Sequence, residues 1–113
     1  MKKVYICSPY REYTDEQGRH LEVDDNVENA INYSKLAVKN GCMPVCPHIY
    51  FTQFLDDNDN SQRNCGRTVG IEWLENCHEL WVFGDYISEG MTKEIEFANE
   101  WDIPIVKGDE FYE

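Results

Sequence analysis

The run Glu79-Leu80-Trp81-Val82-Phe83-Gly84 is apolar nearly throughout, and it limits the architectures open to the chain more than any other segment. A strand with one wet face alternates apolar and polar residues. A run without alternation needs cover on both faces, as a central strand of a parallel sheet has. Three further runs are of strand type: Lys3-Val4-Tyr5-Ile6-Cys7, Met43-Pro44-Val45-Cys46-Pro47 and Ile103-Pro104-Ile105-Val106. Segments of helical period lie between them. Val27, Ala30, Ile31, Ser34, Ala37 and Val38 mark the first, with Asp24 or Asp25 as its cap and Gly41 as its stop. The second helix fits 62–77, with Val69, Trp73, Leu74 and Cys77 on one side; the third fits 91–101, with Met91, Ile95 and Ala98 inward. A long polar loop is expected over 10–24, and a loop with a helical turn over 48–60. Strand and helix alternate, so the expected fold is α/β: a flavodoxin-like or Rossmann-like open parallel sheet of four or five strands with helices on both faces. Residues 1–113 read as one domain, with no repeat, linker or low-complexity tract.

Charge narrows the range of partners. Asp and Glu total 22 against 10 Lys and Arg, a formal charge of −12. Such a surface repels nucleic-acid polymers and anionic membranes, although one phosphate can still be held by local backbone amides and an arginine. The runs Asp56-Asp57-Asn58-Asp59 and Asp109-Glu110-Phe111-Tyr112-Glu113 read as solvated surface. No apolar run approaches a membrane span, and the stretch after Met1-Lys2-Lys3 is too short for a signal peptide, so a cytoplasmic protein is expected. The five cysteines are an odd number without a Cys-x-x-Cys, which points to free thiols. Cys42, Cys46 and His48 make a poor zinc pattern, and the cysteines read better as small buried hydrophobes; no metal is expected.

Ligands of open parallel sheets bind beyond the carboxyl ends of the strands. Two such ends carry unusual residues here: Ser8-Pro9-Tyr10-Arg11 after the first strand and Ser88-Glu89-Gly90-Met91-Thr92-Lys93-Glu94 after the central one. Where a loop opens a helix, free N–H groups and the helix dipole favour an anion, and Glu94 lies about one turn further in. The same residues also suit a plain helix start, in which Ser88 caps, Gly90 turns and Glu94 complements the dipole. Other residues divide similarly. His48 either lines the cleft or is structural, and Tyr50, Phe51 and Phe54 form either a base-stacking wall or core. Arg63 and Arg67, one turn apart, either reach an anion or face solvent, the latter being the safer reading. Trp81 and Phe83 are assigned to packing, and His20 and His78 to no role.

Five ordered blocks carry a resemblance: YICSPYR, NVENA, PVCPHIYFTQFLDD, ELWVFGDYISEGMTKEIEFA and IPIV. With Ser-x-Gly-x-x-x-Glu after an apolar strand and a tyrosine in the first strand, the chain resembles the nucleoside 2-deoxyribosyltransferase superfamily. The likeness takes in the deoxynucleoside monophosphate N-glycosidases and small bacterial and phage domains of unknown function. It implies cleavage of a nucleoside or nucleotide N-glycosidic bond, or deoxyribosyl transfer, with no metal or organic cofactor. Glu94 matches the carboxylate nucleophile and Tyr5 the tyrosine beside it; Ser88 and Gly90, with Met91 next to them, match residues that hold the sugar's 5′-hydroxyl or phosphate. Ser8 and Arg11 fall near the first-loop contacts, and His48 joins the expected substrate-binding set. The glycosidases carry an aspartate upstream of the nucleophile, where this chain has Gly70, with Glu72 the nearest acid; Asp56, Asp57 or His48 are the candidates to supply a proton instead. The resemblance also implies a homo-oligomer. The alternative function is a non-catalytic module that sequesters or senses a nucleotide in the same pocket.

Overall fold

Lys3–Cys7 forms β1, whose β-branched and aromatic residues suit a strand buried on both faces. The computed structural model describes residues 1–111; Tyr112 and Glu113 of the acidic tail lie outside the described residues. After β1 the segment expected to be a loop holds a short antiparallel ribbon, β2 (Tyr13–Thr14) and β3 (His20–Leu21), paired Tyr13 with Leu21 and Thr14 with His20. Then follow α1 (Val23–Lys39), β4 (Met43–Val45), α2 (Pro47–Tyr50) with a 3-10 turn at Phe51–Gln53, and α3 (Asn60–Glu75). The chain continues through β5 (Glu79–Val82), α4 (Glu89–Glu100), β6 (Ile105–Lys107) and a closing 3-10 turn, Gly108–Phe111.

Four strands make one parallel sheet in the order β4-β1-β5-β6. From β1 the chain steps outward to β4, then crosses back to β5 on the other side of β1. The connections therefore diverge between the carboxyl ends of β1 and β5, where an open α/β sheet forms its crevice. This is the flavodoxin-like α/β fold that the alternation of elements predicts.

The two faces of the sheet divide by the two-residue period of its strands. Val4, Ile6, Trp81 and Phe83 pack with Ala30, Leu36 and Ala37 of α1. Tyr33 stacks on Phe83 with ring centroids 4.0 Å apart, and Phe111 stacks on Trp81 at 4.2 Å. Tyr5, Cys7 and Leu80 face the other way, against Leu74 of α3 and Met91 and Ala98 of α4. Gly108 closes the first face. A Cβ there would stand 2.2 Å from the Phe83 ring, so no side chain fits.

Element ends differ from the sequence reading for local reasons. Glu22, not Asp24 or Asp25, precedes α1; Asp25 sits inside the helix and its carboxylate accepts from the Glu22 N–H at 2.9 Å, as in a capping box. The inward stripe of α1 runs through Asn26, Ala30, Tyr33 and Ala37, so Ile31 (39% exposed) and Val38 (61%), each one residue further on, turn to solvent. Gly41, with φ +75°, supplies the expected left-handed stop. Pro47 does not end β4 but opens α2. Asp59 accepts from the N–H groups of Ser61 and Gln62 and starts α3 before Gln62; Val69, expected inward, is 41% exposed. Ile103 is buried ahead of β6, and the Pro104 carbonyl accepts from Leu80 N–H at 2.9 Å. Among the described residues no helix is long and apolar enough to cross a membrane.

Candidate functional site

A cleft of about 800 Å³ opens at the divergence of β1 and β5, walled by α3, α4 and the loops after β1 and β4. The period of β1 aims Tyr5 and Cys7 at α4, where Glu94 lies on the first turns. Tyr5 Oη donates to one oxygen of the Glu94 carboxylate, and Cys7 Sγ donates to the other at 3.5 Å. Removal from water raises the Glu94 pKa to about 7, against the downward pull of these two bonds. Burial first, and then the charge of Glu94, hold the Tyr5 phenol and the Cys7 thiol well above their ordinary values. At neutral pH both are therefore protonated donors, beside a carboxyl close to its midpoint.

Ser88 is the cap of α4, its Oγ accepting from Met91 N–H at 3.2 Å, so the capping half of the sequence reading holds. Gly90 stands beside it, and a Cβ there would meet nothing nearer than Ser88 Oγ at 4.0 Å, so packing does not demand a glycine. Met91 lines the cleft but is only 1% exposed, which makes it floor. Ser8 is 2% exposed, and among the described residues its Oγ is the buried side-chain polar atom left without a hydrogen-bond partner. Such an orphan is costly unless something else satisfies it.

Arg11 lines the cleft, yet its guanidinium is engaged by Asp57: Nε donates to the carboxylate at 3.0 Å, Nη2 donates to the Asp57 carbonyl at 3.1 Å, and Nη2 forms an ion pair with the carboxylate at 2.9 Å. The His48 Nε2–H donates to the Ser8 carbonyl at 2.8 Å, and its ring stacks on Tyr10 with centroids 5.2 Å apart. Burial lowers the His48 pKa, so the ring is neutral near pH 7. His48 and Asp57, both candidates for a proton donor, are thus tied into loop bonds, and Asp56 does not line the cleft. Gly70 does line it. A Cβ at Gly70 would stand 3.6 Å from Tyr5 Oη, so this position lies over the hydroxyl that holds Glu94.

Other expectations resolve less evenly. Phe51 lines the cleft, but Tyr50 (52% exposed) and Phe54 (58%) are neither core nor cleft wall; with Phe51 they cluster at the surface around Trp73. Arg63 and Arg67, read as solvent-facing, line the cleft. Cys42, Cys46 and His48 do not converge; among the described residues the group of three metal-type ligands that does is Glu12, His20 and Glu22, exposed on the ribbon. Cys7 was missed, although its two-residue spacing from Tyr5 puts it on the same face. Tyr86 was missed for want of a local signal: it lines the cleft and stacks on Tyr13 of the ribbon at 4.1 Å.

Residues 2–107 match the sequence signature of the family described as a domain of unknown function, DUF7768. The chain belongs to this family. No curated protein matches the DUF7768 chain in sequence. Among solved structures it is similar to a 2-deoxyribosyltransferase from the psychrotolerant bacterium Bacillus psychrosaccharolyticus, a protein described as a biocatalyst for the synthesis of antiviral and antitumoral nucleosides. The superposition has a TM-score of 0.65 at 15% identity and covers 91% of this chain and 69% of that one. At that identity the likeness establishes the fold, which this DUF7768 domain has in common with nucleoside deoxyribosyltransferases.

Proposed function

We propose that this DUF7768 domain cleaves or transfers the N-glycosidic bond of a nucleoside or nucleotide, with Glu94 as the nucleophile. The observation that carries the reading is the carboxylate of Glu94, desolvated and bonded on both oxygens by Tyr5 and Cys7, at the point of the fold where ligands bind. The solved 2-deoxyribosyltransferase of the same fold supports the substrate class. A carboxylate oxygen of Glu94 attacks C1′, the C1′–N bond breaks through an oxocarbenium-like transition state, and the bonding pair leaves with the base, which takes up a proton. Water or a second base then resolves the glycosyl ester. Tyr5 steers the attacking carboxylate and favours its ionised form, while Cys7 fixes its second oxygen. Ser8 Oγ offers the ligand a hydrogen bond that the fold leaves unused. Self-association, which the resemblance implies, belongs to the same proposal and is read by light scattering at micromolar concentration.

One observation favours a second reading. Gly70 leaves no carboxylate over Tyr5, and His48 and Asp57 are committed elsewhere. Glu72, the nearest acid, lines the cleft, but none stands at the Gly70 position, and an acid positioned on the base is typically worth ~10²–10⁴ in rate. A cleft of that kind suits a module that holds a nucleotide without turning it over. Incubation with a panel of nucleosides and nucleotides, followed by chromatography, separates the two. Release of free base that disappears in Glu94→Ala establishes the enzyme. Stoichiometric binding, with intact ligand recovered after denaturation, establishes the module.

A further inference from the structure

Arg11, Arg63, Arg67 and Lys93 line the cleft together with the acidic side chains of Glu12, Asp57, Glu72, Glu89 and Glu94. Two of the basic groups are engaged: Arg11 by Asp57 at 2.9 Å, and Lys93 with Glu89 at 3.7 Å. Arg63 and Arg67 have no carboxylate partner among the described residues. They stand one turn apart on α3, where like charges repel unless an anion lies between them. From Asn60 to Ile71 this helix carries no acidic residue; Glu72, which follows, lies five residues beyond Arg67 and also lines the cleft.

Among the α3 residues that line the cleft, Arg63, Gly66, Arg67 and Gly70 form one stripe, spaced i, i+3, i+4, i+7, flanked by Gln62, Thr68, Ile71 and Glu72. Its two glycines are closely neighboured: a Cβ at Gly66 would press on Leu55 at 3.3 Å, and one at Gly70 would be in contact with Tyr5 and Pro47. Gly70 lies over Tyr5 Oη, the group bonded to Glu94. At ~1.5 Å per residue, Arg67 and Arg63 stand about 4.5 and 10 Å along the axis from Gly70. A pentose with its phosphate bridges that interval from a C1′ held at Glu94. The start of α4 is less suited to an anion, because Glu89 occupies its first turn and Ser88 Oγ is already accepting from Met91.

We propose that Arg63 and Arg67 form a phosphate subsite on the α3 wall, so that the ligand is a nucleotide and not a nucleoside. The proposal rests on reading the cleft as a nucleoside site, and adds the charge of its ligand and the wall that recognises it. Guanidinium groups suit the task through paired N–H donors directed at phosphate oxygens.

Isothermal titration of the wild-type protein, the R63Q/R67Q double variant and Ser88→Ala tests it, with 2′-deoxynucleosides, their 5′-monophosphates and inorganic pyrophosphate as probes. Both arginines project from the outer part of a helix wall, so the double variant retains its fold. Wild-type protein is expected to bind monophosphates at least ~10-fold tighter than the matching nucleosides. The double variant loses that difference and keeps its nucleoside affinity, whereas Ser88→Ala weakens both forms alike. Equal binding of the two forms by wild type, a preference that survives R63Q/R67Q, or one lost in Ser88→Ala alone overturns the subsite. So does the absence of binding by both the monophosphates and pyrophosphate. If no probe releases base but the arginine-dependent preference stands, the glycosidic reading fails and the subsite holds.

Discussion

The two faces of β1 show how one strand serves two purposes. On the α1 side, Val4 and Ile6 enter a packed layer with Trp81, Phe83 and Ala30, all at most 1% exposed. On the α3–α4 side, Tyr5 and Cys7 are buried just as fully, but they spend their polar groups on Glu94. Burial is equal and chemistry is opposite. The dry face holds the sheet in shape, and the face with the carboxylate accepts a desolvation cost for a group poised near neutral pH.

The largest effect expected from breaking this comparison is on the dry side. Ile6→Ala opens a cavity in a closed layer and should cost ~2–5 kcal/mol of unfolding free energy by urea titration, without changing the pH response of Glu94. A loss well below that range would mean that the face is not tightly packed.

Next comes Glu94→Gln. The folded pKa of about 7 lies above the ordinary 4.5, so the folded state prefers the protonated acid. Below about pH 4.5 both states carry the proton and its contribution is fully present. As pH rises to about 7 the unfolded chain ionises first and stability falls, by ~3 kcal/mol in all, then levels off. Glu94→Gln removes this term. Relative to wild type it should become more stable between pH 5 and pH 8, and parallel pH profiles of the two proteins would contradict a raised pKa.

Tyr5→Phe sharpens the contrast within the polar face. It removes a donor to a charged group, an interaction worth ~1.5–3 kcal/mol. It should raise the Glu94 pKa further, seen as a shift to higher pH of the base-release profile or of the carboxyl titration by NMR. An unmoved profile would leave Tyr5 with packing alone. Smallest is Gly70→Asp, which sets a carboxyl over Tyr5 where a Cβ makes ordinary contact. A rise in base release of ~10-fold is expected, a part of the ~10²–10⁴ that a fully positioned acid supplies. No rise would mean that proton delivery is not what limits the site.

Much of this was legible in the chain itself, and the reasons are local. The apolar run around Trp81, the helical spacing of Ala30 and Ala37 and the left-handed stop at Gly41 each act over a few residues, so the α/β order could be read directly. Ser88 and Glu94 follow the carboxyl end of the central strand, where an open sheet binds its ligands; the pairing of Tyr5, in the middle of β1, with Glu94 came from the family resemblance. What escaped depended on contacts between distant segments. The Tyr13–Tyr86 stack, the capture of Arg11 by Asp57 and the turn of Arg63 and Arg67 into the cleft all require a tertiary fold to bring loops and helices together. The exposure of Val38 came from the rotation of α1, which one residue of phase decides.

The central claim is that Glu94 attacks the sugar, and rapid-quench intact-mass spectrometry of the protein mixed with a nucleotide that it cleaves tests it most directly. A transient adduct of the mass of the sugar, mapped to Glu94 and absent from Glu94→Gln, is the predicted result. Base release at an undiminished rate by Glu94→Gln, or an adduct mapped to another residue, would contradict the account.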